Sequence, residues 1–69
     1  MIHESAIVSK NAVIGKNVSI GPFSIIGDKA IIGDNVEVKS HVVIEGRVTI
    51  GEGTIIYPFA SLSYPQTLK

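Results

Sequence analysis

The sequence predicts an all-β domain that forms a parallel β-solenoid, with three short strands in each 18-residue coil and about four coils in 69 residues. The first observation behind this prediction is an aliphatic residue at every sixth position. The series contains only Val, Ile and Leu: Ile2, Val8, Ile14, Ile20, Ile26, Ile32, Val38, Ile44, Ile50, Ile56, Leu62 and Leu68. The second is a small or β-branched residue two positions before most of them. The third is a longer period of 18 in the residues between them, which indicates three hexads per coil.

Each hexad should contribute one strand and one corner. A period of six excludes an amphipathic helix, whose face returns every 3.6 residues, and the Val, Ile and Thr content favours short strands. The small residue and the aliphatic residue lie two apart, so both can point inward from the same strand. We therefore expect no helix, and a solenoid over residues 6 to 62 with all twelve aliphatic residues inside.

The three corners of a coil should differ in chemistry, because residues 18 apart resemble each other more than residues 6 apart. The columns are Phe23, His41, Phe59; then Asn17, Asn35, Gly53; and then Asn11, Lys29, Arg47. Asparagine and glycine tolerate a positive φ, so we expect that conformation at Asn11, Asn17, Asn35 and Gly53.

The residues that point outward also differ from face to face. Ile7, Ile25 and Val43 precede the core residue on one face, whereas Ser19 and Glu37 do so on another. The apolar face adjoins the corner that contains Phe23, His41 and Phe59. A monomer of this size is not expected to expose such a patch, so these six residues are the predicted subunit interface.

Composition excludes several function classes. Six basic and six acidic residues give a net charge of zero, without the basic patch that a nucleic-acid partner requires. The absence of cysteine excludes disulfides and cysteine-ligated zinc, and apolar runs of three residues are too short to span a membrane. His3 and His41 are too far apart to share a metal ion. We expect a cytoplasmic protein without a metal or other cofactor.

Three segments are similar to one enzyme family. They are Ile20-Gly21-Pro22-Phe23, the stretch Lys39-Ser40-His41-Val42-Val43-Ile44-Glu45-Gly46, and Ile56-Tyr57-Pro58-Phe59-Ala60-Ser61. These segments resemble the N-terminal third of the UDP-N-acetylglucosamine O-acyltransferases, which belong to the hexapeptide-repeat transferases. The resemblance implies a left-handed parallel β-helix, a homotrimer, and transfer of a 3-hydroxyacyl group from acyl carrier protein to the 3-hydroxyl of UDP-N-acetylglucosamine in lipid A synthesis.

The resemblance also implies which residues bind substrate. The segment Gln66-Thr67-Leu68-Lys69 is similar to a Q-D-L-K motif of the family, in a loop that holds the nucleotide sugar, so Gln66 and Lys69 are the predicted substrate-binding residues. Thr67 stands where the family has an aspartate. The family's general base is a histidine in a later coil, and no catalytic residue is assigned among these 69.

Two interpretations of the whole chain remain open. As a single solenoid domain over residues 1–69, shorter than the family, it is the N-terminal portion of an acyltransferase and inactive alone. The alternative is a structural module without catalytic function that associates with copies of itself.

Overall fold

Eleven short parallel strands form the structure, which is a computed structural model that describes residues 1–63 and 65–68, the side chain of Gln66 excepted. In chain order the strands are β1 (Ile7–Val8), β2 (Val13–Ile14), β3 (Ser19–Ile20), β4 (Ile25–Ile26), β5 (Ile31–Ile32), β6 (Glu37–Val38), β7 (Val43–Ile44), β8 (Val48–Ile50), β9 (Ile55–Ile56), β10 (Ser61–Leu62) and β11 (Gln66–Leu68). The described residues contain no helix. Three complete coils and two strands of a fourth confirm the predicted all-β solenoid.

Three parallel sheets make the sides of the solenoid. The first sheet contains β1, β4, β7 and β10 in that order, the second contains β2, β5, β8 and β11, and the third contains β3, β6 and β9. Ile7 pairs with Ile25, and Ile14 pairs with Ile32, so each strand lies beside the strand 18 residues later. The arrangement is that of the left-handed parallel β-helix predicted above.

The hexad series forms the core, with one exception. Seven of its members are buried, with exposures of 0 to 5%: Ile20, Ile26, Ile32, Val38, Ile44, Ile50 and Ile56. Val8, Ile14, Leu62 and Leu68 in the outer coils are partly buried against them. Ile2 is 47% exposed, so the prediction that all twelve lie inside is wrong for this residue. Ile2 bridges to Ile20 and has a neighbouring coil on one side only.

Ser24 places a polar group inside the solenoid. Its side chain is fully buried, in the column that elsewhere contains alanine or valine. The hydroxyl donates a hydrogen bond to the Lys39 carbonyl at 2.9 Å and accepts one from the Val42 amide at 3.2 Å. A buried hydroxyl is tolerated when both roles are satisfied, and here it connects one corner to the next coil.

At two of the three corners a residue with positive φ recurs in three successive coils. In the corner between the second and third sheets, Asn17, Asn35 and Gly53 have φ of 58°, 61° and 76°, as predicted. Asn11 is not among the residues with positive φ, so the expectation for it is wrong. It belongs to the corner between the first and second sheets, where Gly46 takes that conformation instead.

Candidate functional site: an aromatic corner between an apolar face and a groove

The aromatic corner, defined as Phe23, His41 and Phe59, joins the third sheet to the first. The ring centroids of Phe23 and His41 lie 5.2 Å apart, and those of His41 and Phe59 lie 4.9 Å apart with 20° between the planes. Phe23 is 61% exposed and Phe59 is 76% exposed, so the stack stands at the surface. His41 therefore lies in a stack with the two phenylalanines of its column.

All three residues of the aromatic corner have positive φ, between 56° and 65°. This conformation is uncommon for bulky side chains and places Cβ close to the following carbonyl. Sequence reasoning missed it, because it looked for positive φ only at asparagine and glycine. Hydrogen bonds between coils hold the backbone here: His41 donates its amide to the Pro22 carbonyl at 3.0 Å, and Phe59 donates to the Ser40 carbonyl at 3.2 Å.

In the first coil a side-chain oxygen, and not a backbone carbonyl, accepts the equivalent hydrogen bond. The Phe23 amide donates to Ser5 Oγ at 3.1 Å, and Ser5 Oγ lies 2.9 Å from His3 Nδ1. The Ser5 amide donates to the same Nδ1 at 3.1 Å, so this ring nitrogen acts as an acceptor. His3 and Ser5 therefore cap the aromatic corner at its N-terminal end.

The apolar face, defined as Ile7, Ile25 and Val43, is the outer surface of the first sheet beside the aromatic corner. The register pairs Ile7 with Ile25 and Ile25 with Val43, which confirms that the three residues form one column. Ile7 is 64% exposed and Ile25 is 38% exposed. The predicted interface residues therefore lie together on adjoining surfaces.

The second sheet also presents aliphatic side chains, which the sequence analysis did not single out. Val13 and Ile31 are paired through their strands and are 58% and 47% exposed. They stand immediately before a core residue, as Ile7 and Ile25 do, so the same rule would have found them. On the third sheet, Ser19 and Glu37 are followed by Ile55, which is 45% exposed.

An open groove of about 320 Å³ lies on the third sheet next to the aromatic corner. Its walls include Met1, His3, Ser19, Pro22, Glu37 and Lys39. Gly21 forms part of the floor, where the chain passes so close to the next coil that a Cβ at this position would lie 2.5 Å from the Lys39 carbonyl oxygen. Glycine at this position therefore allows the backbones of the two coils to approach each other closely.

An ion pair lines one wall of the groove. Lys39 Nζ lies 2.6 Å from Glu37 Oε2, and both side chains are about two-fifths exposed, at 39% and 45%. The hydrogen bond that Lys39 donates to Glu37, together with the negative charge of that carboxylate, raises the pKa of Lys39 above its usual value. In the part of the chain that the structure describes, this is the only ion pair.

The described residues do not form a metal site. Within residues 1–63 and 65–68, no three His, Cys, Asp or Glu side chains lie close enough to hold a metal ion. The two histidines have separate partners, since His3 contacts Ser5 and His41 stacks on phenylalanine. No helix in the described residues is long and apolar enough to cross a membrane.

The structure describes the predicted substrate-binding residues only in part. Gln66 begins β11 and pairs with Val48 through its backbone, whereas Lys69 lies outside the described residues. Thr67 pairs with Thr49 on the second sheet and is exposed, while Leu68 beside it packs against the core. The position that carries an aspartate in the resembled family therefore lies on the outer surface.

The chain is similar to known proteins both in its sequence repeats and in its fold. The family model described as bacterial transferase hexapeptide (six repeats) matches residues 11–46 and 29–63, which together exceed half of the chain. A solved structure, the UDP-N-acetylglucosamine acyltransferase from Campylobacter jejuni, matches with a TM-score of 0.86 and 31% sequence identity. The match covers 88% of this chain and 24% of that chain, so this chain spans about a quarter of that enzyme. No curated protein sequence matched.

Proposed function

This chain belongs to the bacterial transferase hexapeptide family, and from that premise we propose that it is a solenoid portion of an acyltransferase. The proposed reaction moves a 3-hydroxyacyl group from acyl carrier protein to the 3-hydroxyl of UDP-N-acetylglucosamine, in lipid A synthesis in the cytoplasm. The observation that carries the proposal is the match to the Campylobacter jejuni enzyme over 88% of this chain at 31% identity. The motifs around His41 and Phe59 lie within residues 29–63, which the family model matches.

The proposed chemistry needs a general base, and the family's base is a histidine. The sugar hydroxyl attacks the acyl carbonyl, and a general base takes its proton. Neither histidine fits this role: Nδ1 of His3 already accepts hydrogen bonds from Ser5, and His41 lies between two phenyl rings. We therefore propose that the 69 residues supply scaffold, subunit contacts and part of the nucleotide-sugar loop through Gln66 and Lys69.

The proposed assembly is a homotrimer formed through the apolar face and the aromatic corner. Exposed aliphatic and aromatic side chains of this extent are typical of surfaces that become buried on association. The competing mode is end-to-end stacking through the open strand edges of the outer coils. Ile25→Glu separates the two, since a charge on the apolar face should dissociate a trimer and leave end-to-end stacking intact. Ile31→Glu is the matched control, because Ile31 is an exposed isoleucine of the same coil on the second sheet.

A chimeric enzyme tests the reaction. Residues 1–69 of this chain replace the matching coils of the Campylobacter jejuni enzyme, and transfer of a 3-hydroxyacyl group from acyl carrier protein to UDP-N-acetylglucosamine is measured. We expect transfer by the chimera and none by the 69-residue chain alone. Thr67→Asp in the chimera should raise the rate, whereas Thr67→Asn, which has the size but not the charge, should not.

Two outcomes would contradict the proposed reaction. One is a chimera that folds and assembles like the parent enzyme but transfers no acyl group even with Thr67→Asp. The other is acyl transfer by the 69-residue chain alone at the rate of the full enzyme.

A further inference from the structure

Three successive turns at the aromatic corner share one pattern, and the middle turn departs from it. In each turn the aromatic residue stands third and has a positive φ. A positive φ at the third position is the conformation of a type II turn, where proline is common at the second position because its ring fixes φ at about −65°. Pro22 and Pro58 take the second position in two of the turns, whereas Ser40 takes it in the turn of His41.

The turn without proline also lacks a direct hydrogen bond between its ends. In the next coil, the equivalent turn closes on itself, since the Ala60 amide donates to the Tyr57 carbonyl at 3.3 Å. In the described residues, no such bond joins the Val42 amide to the Lys39 carbonyl. The hydroxyl of Ser24 lies between these two groups instead. It donates to the Lys39 carbonyl at 2.9 Å and accepts from the Val42 amide at 3.2 Å.

The hydroxyl that closes this turn is inside the solenoid. Ser24 is fully buried, at the position that Ala6, Val42 and Ala60 take in the other coils. Its donor and acceptor roles are both taken by the two ends of one turn. Hydrogen bonds are stronger in such a core than in water, so a hydroxyl placed there can hold a turn that lacks both proline and a direct bond.

We propose that the Ser24 hydroxyl replaces proline in the turn of His41, and that Ser24 is therefore the positioning residue of the His41 ring in the aromatic corner. The ring centroid of His41 lies 5.2 Å from that of Phe23 and 4.9 Å from that of Phe59, so a change in this turn moves the ring against both neighbours. The inference goes beyond the proposed reaction, and it holds for a monomer as well as for a trimer.

A matched pair of substitutions separates the hydroxyl from the shape of the side chain. Ser24→Thr keeps the hydroxyl, and Ser24→Val has the shape of threonine without it. Both add the same methyl group, so any crowding affects the two variants alike. Ser24→Val should shift the proton resonances of the His41 ring toward their positions in the urea-unfolded chain, because the phenyl ring currents act on them only in the stack. It should also speed exchange of the Val42 amide at least about tenfold, whereas Ser24→Thr should leave both near their wild-type values.

Proline at position 40 tests whether one device can replace the other. The Ser40 amide donates no hydrogen bond within the described residues, so Ser40→Pro removes none. In the Ser24→Val background, Ser40→Pro should return the His41 resonances to their wild-type positions, while in the wild-type background it should change them little. Glu52→Pro is the matched control, because Glu52 stands second in a turn of the same coil series at another corner and should restore nothing.

Each outcome decides for or against the positioning role. Wild-type His41 resonances in Ser24→Val would overturn it, because the stack would then not depend on the hydroxyl. Equal changes in the threonine and valine variants would overturn it as well, since the added methyl group would be the cause. If far-UV circular dichroism shows that the β-branched variants do not fold, Ser24→Ala, which introduces the residue found at Ala6 and Ala60, is compared with wild type for the same two changes. Failure of Ser40→Pro to restore the stack would contradict the equivalence of hydroxyl and proline.

Discussion

Neighbouring isoleucines in β5 provide a direct measure of what the hexad contributes to stability. Ile32 is 1% exposed and packs in the core, in register with Ile14 and Ile50. Ile31 precedes it in the same strand, points outward and is 47% exposed. The same substitution at these two positions removes the same atoms from two environments.

The two substitutions should reduce the free energy of unfolding by amounts that differ enough for denaturation to resolve. Ile32→Ala should reduce the free energy of unfolding by about 2–5 kcal/mol, because it removes buried methyl groups and leaves a cavity. Ile31→Ala should reduce it by about 1 kcal/mol, since about half of that side chain is already in water. At 0.05–0.15 kcal/mol per residue, a chain of 69 residues has a total of roughly 3–10 kcal/mol. Ile32→Ala therefore removes a large share of the stability, and Ile32→Asp, which buries an unpaired carboxylate, should prevent folding.

Urea unfolding followed by far-UV circular dichroism measures both variants. All samples need the same chain concentration, because association adds to apparent stability by mass action. Equal losses for Ile31→Ala and Ile32→Ala would refute the assignment of alternate residues to the inside and the outside of the solenoid. A larger loss for Ile31→Ala would indicate that packing on the outer surface of the second sheet contributes more to stability than packing in the core.

Two further predictions concern the ion pair and the aromatic corner. Glu37 raises the pKa of Lys39 in the folded chain. The ion pair therefore stabilises the fold fully below the ordinary lysine pKa of 10.5, and this stabilisation is lost as the pH rises through the folded-state pKa. The thermal unfolding temperatures of wild type and Glu37→Gln should therefore converge at strongly alkaline pH and differ below it. Phe59 has a φ of 65°, a conformation that glycine adopts more easily than alanine. Phe59→Gly should therefore resist urea better than Phe59→Ala, which is the reverse of the usual order in a strand. If Phe59→Ala were the more stable variant, strain at this corner would be contradicted.

The core could be predicted because a fixed period leaves few alternatives. A hexad with two inward positions determines which side chains are buried whenever a coil lies on both sides, as it does for Ile26 and Ile44. Ile2 follows the same period but lacks a second neighbouring coil, and periodicity alone carries no information about such end effects. The apolar face followed from the outward positions of the same pattern.

The groove could not be predicted, because it depends on where the N-terminal segment lies. Gly21, Lys39 and Tyr57 occupy equivalent positions in successive coils, and glycine at the first of these positions lets two coils approach so closely that a Cβ would meet the Lys39 carbonyl. The N-terminal segment closes the opposite wall with Met1 and His3, through contacts such as the bond from the Met1 amino group to the Val18 carbonyl at 2.6 Å. A sequence pattern gives the column of three residues but not the placement of that segment.

The aromatic corner shows how local conformation and assembly are connected. A left-handed residue other than glycine costs roughly 1–2 kcal/mol, and a stacked aromatic pair returns about 0.5–1.5 kcal/mol. The two ring contacts offset part of the cost of the three left-handed residues, and the hydrogen bonds of the His41 and Phe59 amides to the neighbouring coil offset more of it. Burial of Phe23 and Phe59, which are 61% and 76% exposed, would supply the rest if the corner lies at a subunit contact. Association through this corner would therefore add to the contacts within the chain that already hold its left-handed backbone.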